Sequence, residues 1–401
     1  MTRIDTDVLI VVGGPAGLYA GLELSRAGYR VDLVEEHADI GAPVHCTGVL
    51  ARDAFDTFDR PVCSILNELT TVQFVSPSGV VVPYSTQTVE AVVIDRHRFD
   101  RQLADEARGA GLRIRTARVT AIEPADATVG PRAGRSVTHP SAVRVTAGTA
   151  TYHARSVILA CGASYGLQRQ LGLGLPGLFL HSAQAELPAD RLGDVEVYFG
   201  SQVAPRGFAW AVPVQRADRP HVRIGVMCHG DAARRFHALV ERLRPRWRIE
   251  AENLAPRQKI LPLGPVDRTY TDRVIVVGDA AGLVKPTTGG GIYYSLLSAR
   301  LAADVLGPAL AADDLRHERL SAYEVAWRRK LGSELRWQTL LRRVAERLPD
   351  REIDRLFDLA TTDGLMPLLR RTARFNEHRA FIVALLKHPP ARRVLFRAAF
   401  A

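Results

Sequence analysis

Apolar residues first gather in a short run at 6–12, rich in Val and Ile, the pattern of a parallel strand buried on both faces. After Pro15-Ala16-Gly17 the spacing changes to a helical stripe, with Leu18, Ala20, Gly21 and Leu24 on one side, ending at Gly28. A second apolar run, "RVDLVEE", then finishes on Glu35 and Glu36. The three segments predict a βαβ opening.

Further along, residues 69–94 read as β-rich, with a hairpin turning at Pro77-Ser78-Gly79. "DRHRFDRQLADEARGAGL" predicts a helix with Phe99, Leu103, Ala104 and Ala107 on one side. Strands near 113–122 and 142–147 flank a Gly/Pro/Arg loop at 124–141, expected to be mobile, and "SVILACGAS" reads as another buried strand. Residues 179–229 alternate in strand fashion, most clearly in "FAWAVPV" and "VRIGVMC", and a helix is expected at 231–244. "RVIVVGDAAGLVKPTTGGGIYYSLLSARLAADVL" gives a strand, a glycine-bearing loop and a helix; from 311 the chain reads as helical, interrupted at Pro349, Pro367 and Pro389-Pro390. Strand–helix units in separated blocks around a β-rich insert predict an α/β fold: a Rossmann-like cofactor domain (1–70, 95–175 and 255–305), an inserted antiparallel substrate domain (71–94 and 176–254) and a helical C-terminal region (306–401).

Composition narrows the function. The 401 residues carry a net charge of +10, nearly all of it from Arg; Lys259, Lys285, Lys330 and Lys387 are the four lysines. The arginines are dispersed along the chain, which argues against a nucleic-acid patch and leaves a basic face toward anionic lipid or a phosphorylated substrate open. Four cysteines without a C-x-x-C pair, and twelve scattered histidines, argue against zinc and a disulfide scaffold and fit a reducing cytosol. No window of about 20 apolar residues predicts a membrane span, so the expectation is a cytoplasmic protein, at most peripheral at a membrane.

The βαβ opening should carry a G-x-G-x-x-G turn for a dinucleotide. Gly14 and Gly17 match its second and third glycines, and Val12 stands at the first. Glu35, 18 positions after Gly17, sits close to the spacing of a carboxylate that binds a ribose. A β-branched residue resists glycine's dihedrals, so the strand is expected to run one residue longer or the turn to open, weakening cofactor binding by about 1–3 kcal/mol. In the second block Asp279 comes directly off an apolar strand, placed to bond ribityl or pyrophosphate oxygens of a flavin dinucleotide. Gly289-Gly290-Gly291 precede a helix; glycines let backbone approach a flat ring, and the helix start offers free N–H groups and partial positive charge.

Taken together, "GGPAG…VEE…GAPVHCTGV…DRHRFD…GFAWAVP…GDAAGLVKPTTGGGI" resembles the geranylgeranyl reductase family of FAD-dependent oxidoreductases, within the flavoproteins of the p-hydroxybenzoate hydroxylase fold, over residues 5–305. The resemblance implies that Gly14, Ala16 and Gly17 line the pyrophosphate beside Gly13 and Pro15, and that Glu35 holds the adenosine ribose with Glu36 next to it. Arg96 and Val119 would border the FAD, while Gly278, Asp279, Gly289, Gly290, Gly291 and Ile292 would complete the cradle. The loop of Cys46, Thr47 and Gly48 would pass beside the isoalloxazine. Cys46 could position substrate, tune the flavin or donate a proton, though a free cysteine often only packs; His45 is either a proton relay or a loop residue. Trp210, with Phe208 on the same face, would line a lipid tunnel or fill a sheet core. Cys63, Cys161 and Cys228 read as packing residues.

The implied reaction is reduction of C=C bonds in a prenyl lipid or related hydrophobic substrate, with NAD(P)H or ferredoxin as electron donor. Two alternatives stay open: a flavin monooxygenase or halogenase on an aromatic or polyketide substrate, and a non-catalytic flavin-fold protein. Cys161-Gly162 stands where hydroxylases of this fold carry Asp-Gly, and "FAWAVP" lacks the first tryptophan of the halogenase W-x-W-x-I-P signature. The Arg-rich helices near "RRTARFNEHRAFIVALLKHPP" fit either a surface resting on lipid or a solvated face.

Overall fold

A computed structural model describes residues 2–124, 142–250, 254–362 and 364–399. Apart from Pro124, the loop expected to be mobile at 124–141 lies outside the described residues.

The opening strand, Thr2–Val11, sits at the centre of an eight-stranded sheet, paired in parallel with Ala150–Leu159 on one side and Val31–Glu35 on the other. It starts earlier than its apolar run because Thr2 to Thr6 find partners in Ala150 to Ala154. Arg113–Thr116 extends the sheet beyond Val31–Glu35, and Val274–Val276 pairs with the far end of Ala150–Leu159. The stretch expected as one strand at 113–122 is two: after Thr116 the chain turns, and Val119–Pro124 pairs antiparallel with Val143–Ala147. Helices Pro15–Arg26 and Ile292–Ala311 pack on each other, with Arg96–Gly109 alongside the first. Val8, Leu9, Ile10, Leu159 and Ile275 are fully or almost fully buried beneath them, as expected of a sheet covered by crossover helices.

A second, seven-stranded sheet runs Arg257–Pro262, Phe179–Pro188, Pro220–Cys228, Phe208–Gln215, Val195–Tyr198, Thr71–Val75 and Val81–Ser85, in that spatial order. The last two form the expected hairpin. Helix Ala232–Trp247 covers one face with Phe236, Leu239, Val240, Leu243 and Trp247. The other face packs on Val93 of a third, small sheet and on Val284 of the loop after Val274–Val276, in a separate apolar cluster that includes Trp210 and Met227. Between the sheets, Val49–Ala51, Ala91–Ile94 and Ile65–Leu69 make this third sheet.

The C-terminal region is helical: His317–Ala345, Asp350–Thr362, Leu365–Thr372, Arg379–Lys387 and Pro389–Ala399. Pro349 and Pro389 fall at helix starts and Pro367 in a first turn, where the missing N–H costs nothing. Asp350 accepts from Ser201 N–H at 2.8 Å and Asp354 from the Ser76 hydroxyl at 2.6 Å, docking this region on the seven-stranded sheet. Among the described residues no helix is long and apolar enough to cross a membrane.

Candidate functional site

The turn after the first strand keeps a glycine's conformation without the glycine. Val12 has φ +80°, in the left-handed region that β-branched residues avoid. Neither expected outcome occurs: the strand ends at Val11 and the turn stays closed. Two hydrogen bonds hold it. Val12 N–H donates to Val34 O at 2.9 Å, and Gly13 N–H donates to Glu35 Oε2 at 2.8 Å. At Gly17 the helix comes so close that a Cβ would lie 2.2 Å from Val12 O, whereas the missing Cβ of Gly14 has nothing within 4 Å. Pro15 opens the helix with Gly14 as N-cap; no side chain caps it and its first turn holds no acidic residue. Its N–H groups and positive end are therefore available to an anion.

Glu35 is tied at both oxygens, since Oε1 accepts from His37 N–H at 2.9 Å and lies 2.7 Å from His37 Nδ1. Glu36 instead points outward, with Oε2 3.6 Å from Arg118 Nε. Of the two carboxylates the structure brings only Glu35 to the turn. Ala117 N–H donates to Glu35 O at 2.8 Å, which sets Val119, two residues on and partly buried, at the same end of the sheet.

The second glycine-bearing segment meets the first. Gly278 has φ +61°, and a Cβ there would lie 3.1 Å from Ala16 Cβ and 2.9 Å from Ser295 Oγ. Its N–H donates to Ser298 Oγ at 3.0 Å. Asp279 follows, with Oδ1 2.7 Å from where a Gly291 Cβ would be and Oδ2 3.6 Å from Lys259 Nζ, which reaches over from the seven-stranded sheet. Tyr165 O–H donates to the Asp279 carbonyl at 3.2 Å. Helix Ile292–Ala311 starts on Gly291, again without a side-chain cap or an acidic first turn. Gly289 abuts the other sheet: a Cβ would meet Met227 Sδ at 3.1 Å and Leu261 Cδ1 at 3.3 Å. Gly290 stands between these two glycines, with the Lys285 side chain behind it.

The cysteine loop closes the third side. Gly48 N–H donates to Cys46 Sγ at 3.2 Å, and the Arg96 guanidinium lies against the same sulfur. Thr47 Oγ1 donates to Gln184 Oε1 at 2.9 Å. Arg223 clamps the loop from the seven-stranded sheet, donating through Nη1 to Thr47 O at 2.6 Å and Ile94 O at 3.0 Å, while its Nε pairs with Glu186 at 2.8 Å. Gly48 has no room for a side chain because a Cβ would lie 2.3 Å from Arg223 Nη1. Trp210 lies flat over Gly225 on the adjacent strand, where a Cβ would meet the indole at 2.3 Å, and its ring centroid is 5.7 Å from that of Phe208. Trp210 belongs to the apolar cluster between the sheets, together with Val284 beyond Asp279.

Charge is distributed unevenly here. Burial works against the Arg96 cation, but Asp100 and the Cys46 sulfur outweigh it and hold Arg96 firmly charged, with its pKa raised. Burial, followed by Lys259, Arg257 and His37, pushes His45 below its usual value and keeps the imidazole neutral at pH 7. Burial also opposes ionisation of Glu186, yet Arg216 and Arg223 bring its pKa below the usual range. His45 Nδ1, Arg96 Nε, Asp100 Oδ1 and Trp210 Nε1 are buried with no hydrogen-bond partner among the described residues. Such groups ordinarily have partners. Two uncapped helix starts in contact suit a diphosphate, and unpaired donors with close-approach glycines suit a flat polar ring, so these residues fit FAD.

Sequence reasoning missed the Arg223–Glu186 clamp, Gln184 and Lys259. The signal for the first was a lone charge inside the apolar run "VRIGVMC", two positions from a glycine. It also took Cys63 as a packing residue; Cys63 is exposed, with Sγ 2.6 Å from Gln102 Nε2.

The FAD binding domain family matches the chain over residues 5–51. A digeranylgeranylglycerophospholipid reductase of Methanothermobacter thermautotrophicus is 29% identical over 365 residues, covering 87% of this chain and 90% of that protein. The crystal structure of a geranylgeranyl bacteriochlorophyll reductase-like protein from Thermoplasma acidophilum superposes with a TM-score of 0.83 at 20% identity, over 99% of this chain and 100% of the other. A flavin-dependent brominase is more distant, with a TM-score of 0.64 at 15% identity over 99% and 98% of the two chains. The α/β flavoprotein fold and FAD as cofactor are thereby borne out.

Proposed function

As a member of the geranylgeranyl reductase family of FAD-dependent oxidoreductases, this chain, we propose, saturates carbon–carbon double bonds of a prenyl lipid. The observation that supports this reading is that the glycine turn before Ile292, through Gly289 and Met227, and the cysteine loop, through Thr47 with Gln184 and Arg223, both abut the sheet that carries Trp210. FAD, when bound and reduced, supplies the hydride for one carbon of the double bond.

The chain's own residues hold the reactants and supply the proton. Gly14, Pro15, Ala16 and Gly17 receive the diphosphate at a helix start, with Asp279 opposite. Glu35, beside the Gly13 N–H, takes the ribose hydroxyls. Glu36 has no part in this, since it faces Arg118. Gly278, Gly289, Gly290, Gly291 and Ile292 shape the wall that receives the ring, and Arg96, Val119, Thr47 and Gly48 border it. Trp210, Phe208 and Met227 exclude water from the substrate chain. Cys46 gives its proton to the second carbon; Gly48 N–H and Arg96 stabilise the sulfur anion that remains, and water re-protonates it, with neutral His45 as a base that first takes up the proton and then passes it on. The electrons come from NAD(P)H or ferredoxin. A cofactor domain and an inserted substrate domain divide this work, and the substrate domain includes Arg257–Pro262, which pairs with Phe179–Pro188. The Arg-rich C-terminal helices rest on anionic lipid, which brings a membrane-borne substrate to the cleft.

The test is spectroscopic. Purified protein should be yellow or take up FAD; after anaerobic reduction with dithionite, adding a geranylgeranyl lipid should reoxidise the flavin with oxygen excluded. Reoxidation only on admitting air would replace this reading with oxygen chemistry. Cys46→Ser should retain FAD and reoxidise at least tenfold more slowly.

A further inference from the structure

The loop that carries the glycine turn is pinned from behind by a buried lysine. Lys285 Nζ donates to Phe375 O at 2.9 Å and to Asn376 Oδ1 at 3.2 Å, and stands 4.3 Å from the centre of the Phe375 ring. Its residue is only 4% exposed. The backbone of the same residue closes the turn, since Lys285 N–H donates to Gly290 O at 3.1 Å and Gly289 N–H donates to Lys285 O at 2.9 Å. A Cβ on Gly290 would lie 3.1 Å from Lys285 Cε and 3.6 Å from Nζ, so the ammonium is directly behind that glycine.

Its partners form a strap from the C-terminal region. Asn376 Nδ2 donates to Asp53 Oδ1 at 3.1 Å, and Tyr294 O–H donates to the Asn376 carbonyl at 3.1 Å. His378 Nδ1 lies 2.7 Å from Thr287 Oγ1, inside the same loop, and Glu334 accepts from His378 N–H at 2.9 Å. A lysine desolvated this far, with no carboxylate in contact among the described residues, is costly to keep; pairing with two neutral oxygens explains its geometry but not its charge. An anionic ligand on the far side of Gly290 would explain both.

We infer that Lys285 is a positioning residue for the flavin: held by Phe375 and Asn376, it fixes the Lys285–Gly290 turn and sets a positive charge behind the glycines that receive the ring. This rests on the FAD-binding reading and adds a role for the C-terminal region in it. Reduced flavin is the more anionic form, so a cation behind the turn favours reduction. Burial lowers the Lys285 pKa to about 7, with Asp53 acting the other way, so the charge is present at pH 6.

The experiment uses full-length Lys285→Met and Asn376→Ala, with FAD affinity of the apoprotein and the midpoint potential of the bound flavin measured at pH 6. Lys285→Met should weaken FAD at least tenfold and shift the midpoint to more negative values. Asn376→Ala, which keeps the amine and removes one of its anchors, should weaken FAD by a smaller factor. An affinity within twofold of wild type together with an unmoved midpoint in Lys285→Met overturns the proposal. Should that variant fail to fold, unchanged affinity in Asn376→Ala does the same. Wild-type protein that takes up no FAD would defeat the proposed function itself, a distinguishable result.

Discussion

Gly278 and Ala16 touch: the side chain Gly278 lacks would begin 3.1 Å from the Ala16 Cβ. Through this contact two segments far apart in sequence become one cleft, and both uncapped helix starts lie beside it. The position tolerates no side chain for two reasons, the crowding and a φ of +61°. Gly278→Ala should therefore raise the FAD dissociation constant roughly tenfold to a hundredfold, from about 1–3 kcal/mol of strain and displacement. Titration of apoprotein with FAD, followed by flavin fluorescence, reads this directly. Wild-type affinity in the variant would mean that the two turns do not grip one ligand.

Val12 calls for a different experiment. Its left-handed conformation is locked by Val34 O and by Gly13 bound to Glu35, so the strain exists in the folded protein before any ligand arrives. Val12→Gly should relieve about 1–2 kcal/mol of that strain, offset by about 0.5–1 kcal/mol of extra chain entropy in the unfolded state. Thermal unfolding of the apoprotein should shift upward by a degree or more, with FAD affinity within about threefold of wild type. A large gain in affinity would show instead that the turn is distorted at the ligand, as the sequence pattern by itself had suggested.

Arg223 is 4% exposed, supports the cysteine loop through Thr47 O, bonds Ile94 O on the neighbouring strand, and shares Glu186 with Arg216. Arg223→Met leaves Thr47 O and Ile94 O without that donor and the part-buried Glu186 with Arg216 as its remaining partner, and should cost about 1–3 kcal/mol of stability. Arg223→Met with Glu186→Gln also takes the carboxylate away from Arg216 and should recover none of the stability. Turnover should stay low in both variants, because neither restores the hold on Thr47. Full activity in the double variant would show that the clamp acts on stability alone.

How much was visible in advance follows from what makes a periodic signal. The βαβ opening showed itself because Val8 to Val11 form an apolar run buried on both faces and Leu18, Ala20 and Leu24 lie on a buried helix directly after it. The glycines at 289–291 and Asp279 were legible for a similar reason, being a turn between an apolar strand and an apolar helix. Contacts between side chains far apart in sequence leave no such trace. Arg223 is 176 positions from the carbonyl it holds, and Lys285 is 90 from Phe375. Arg257–Pro262 carries alternating exposure on a sheet edge and joins the seven-stranded sheet only through pairing with Phe179–Pro188. Val12 was read from residue type alone, which could not show that two hydrogen bonds would force the glycine conformation on a valine.

Lys285 makes stability depend on pH with a definite sign. Burial lowers its folded pKa from 10.5 to about 7. Between those values the unfolded chain binds a proton that the native protein does not, so stability falls as pH drops from 10.5 toward 7 and stays at the lower level below 7. The groups facing it do not cancel this. His378 is pushed to about 4 by burial and by Lys285 itself and stays neutral; Tyr294 is raised by burial and stays protonated; Asp53, raised by its own burial, is the nearest opposing charge. Glu334 is engaged with the backbone of His378 and Arg379. Lys285→Met loses two hydrogen bonds at every pH but escapes the cost of burying a charge. Its melting temperature relative to wild type should therefore be highest below pH 7 and decline steadily toward pH 10. A difference that is flat across this range, or rises with pH, would show that the amine is not desolvated in solution and would remove the electrostatic half of its role.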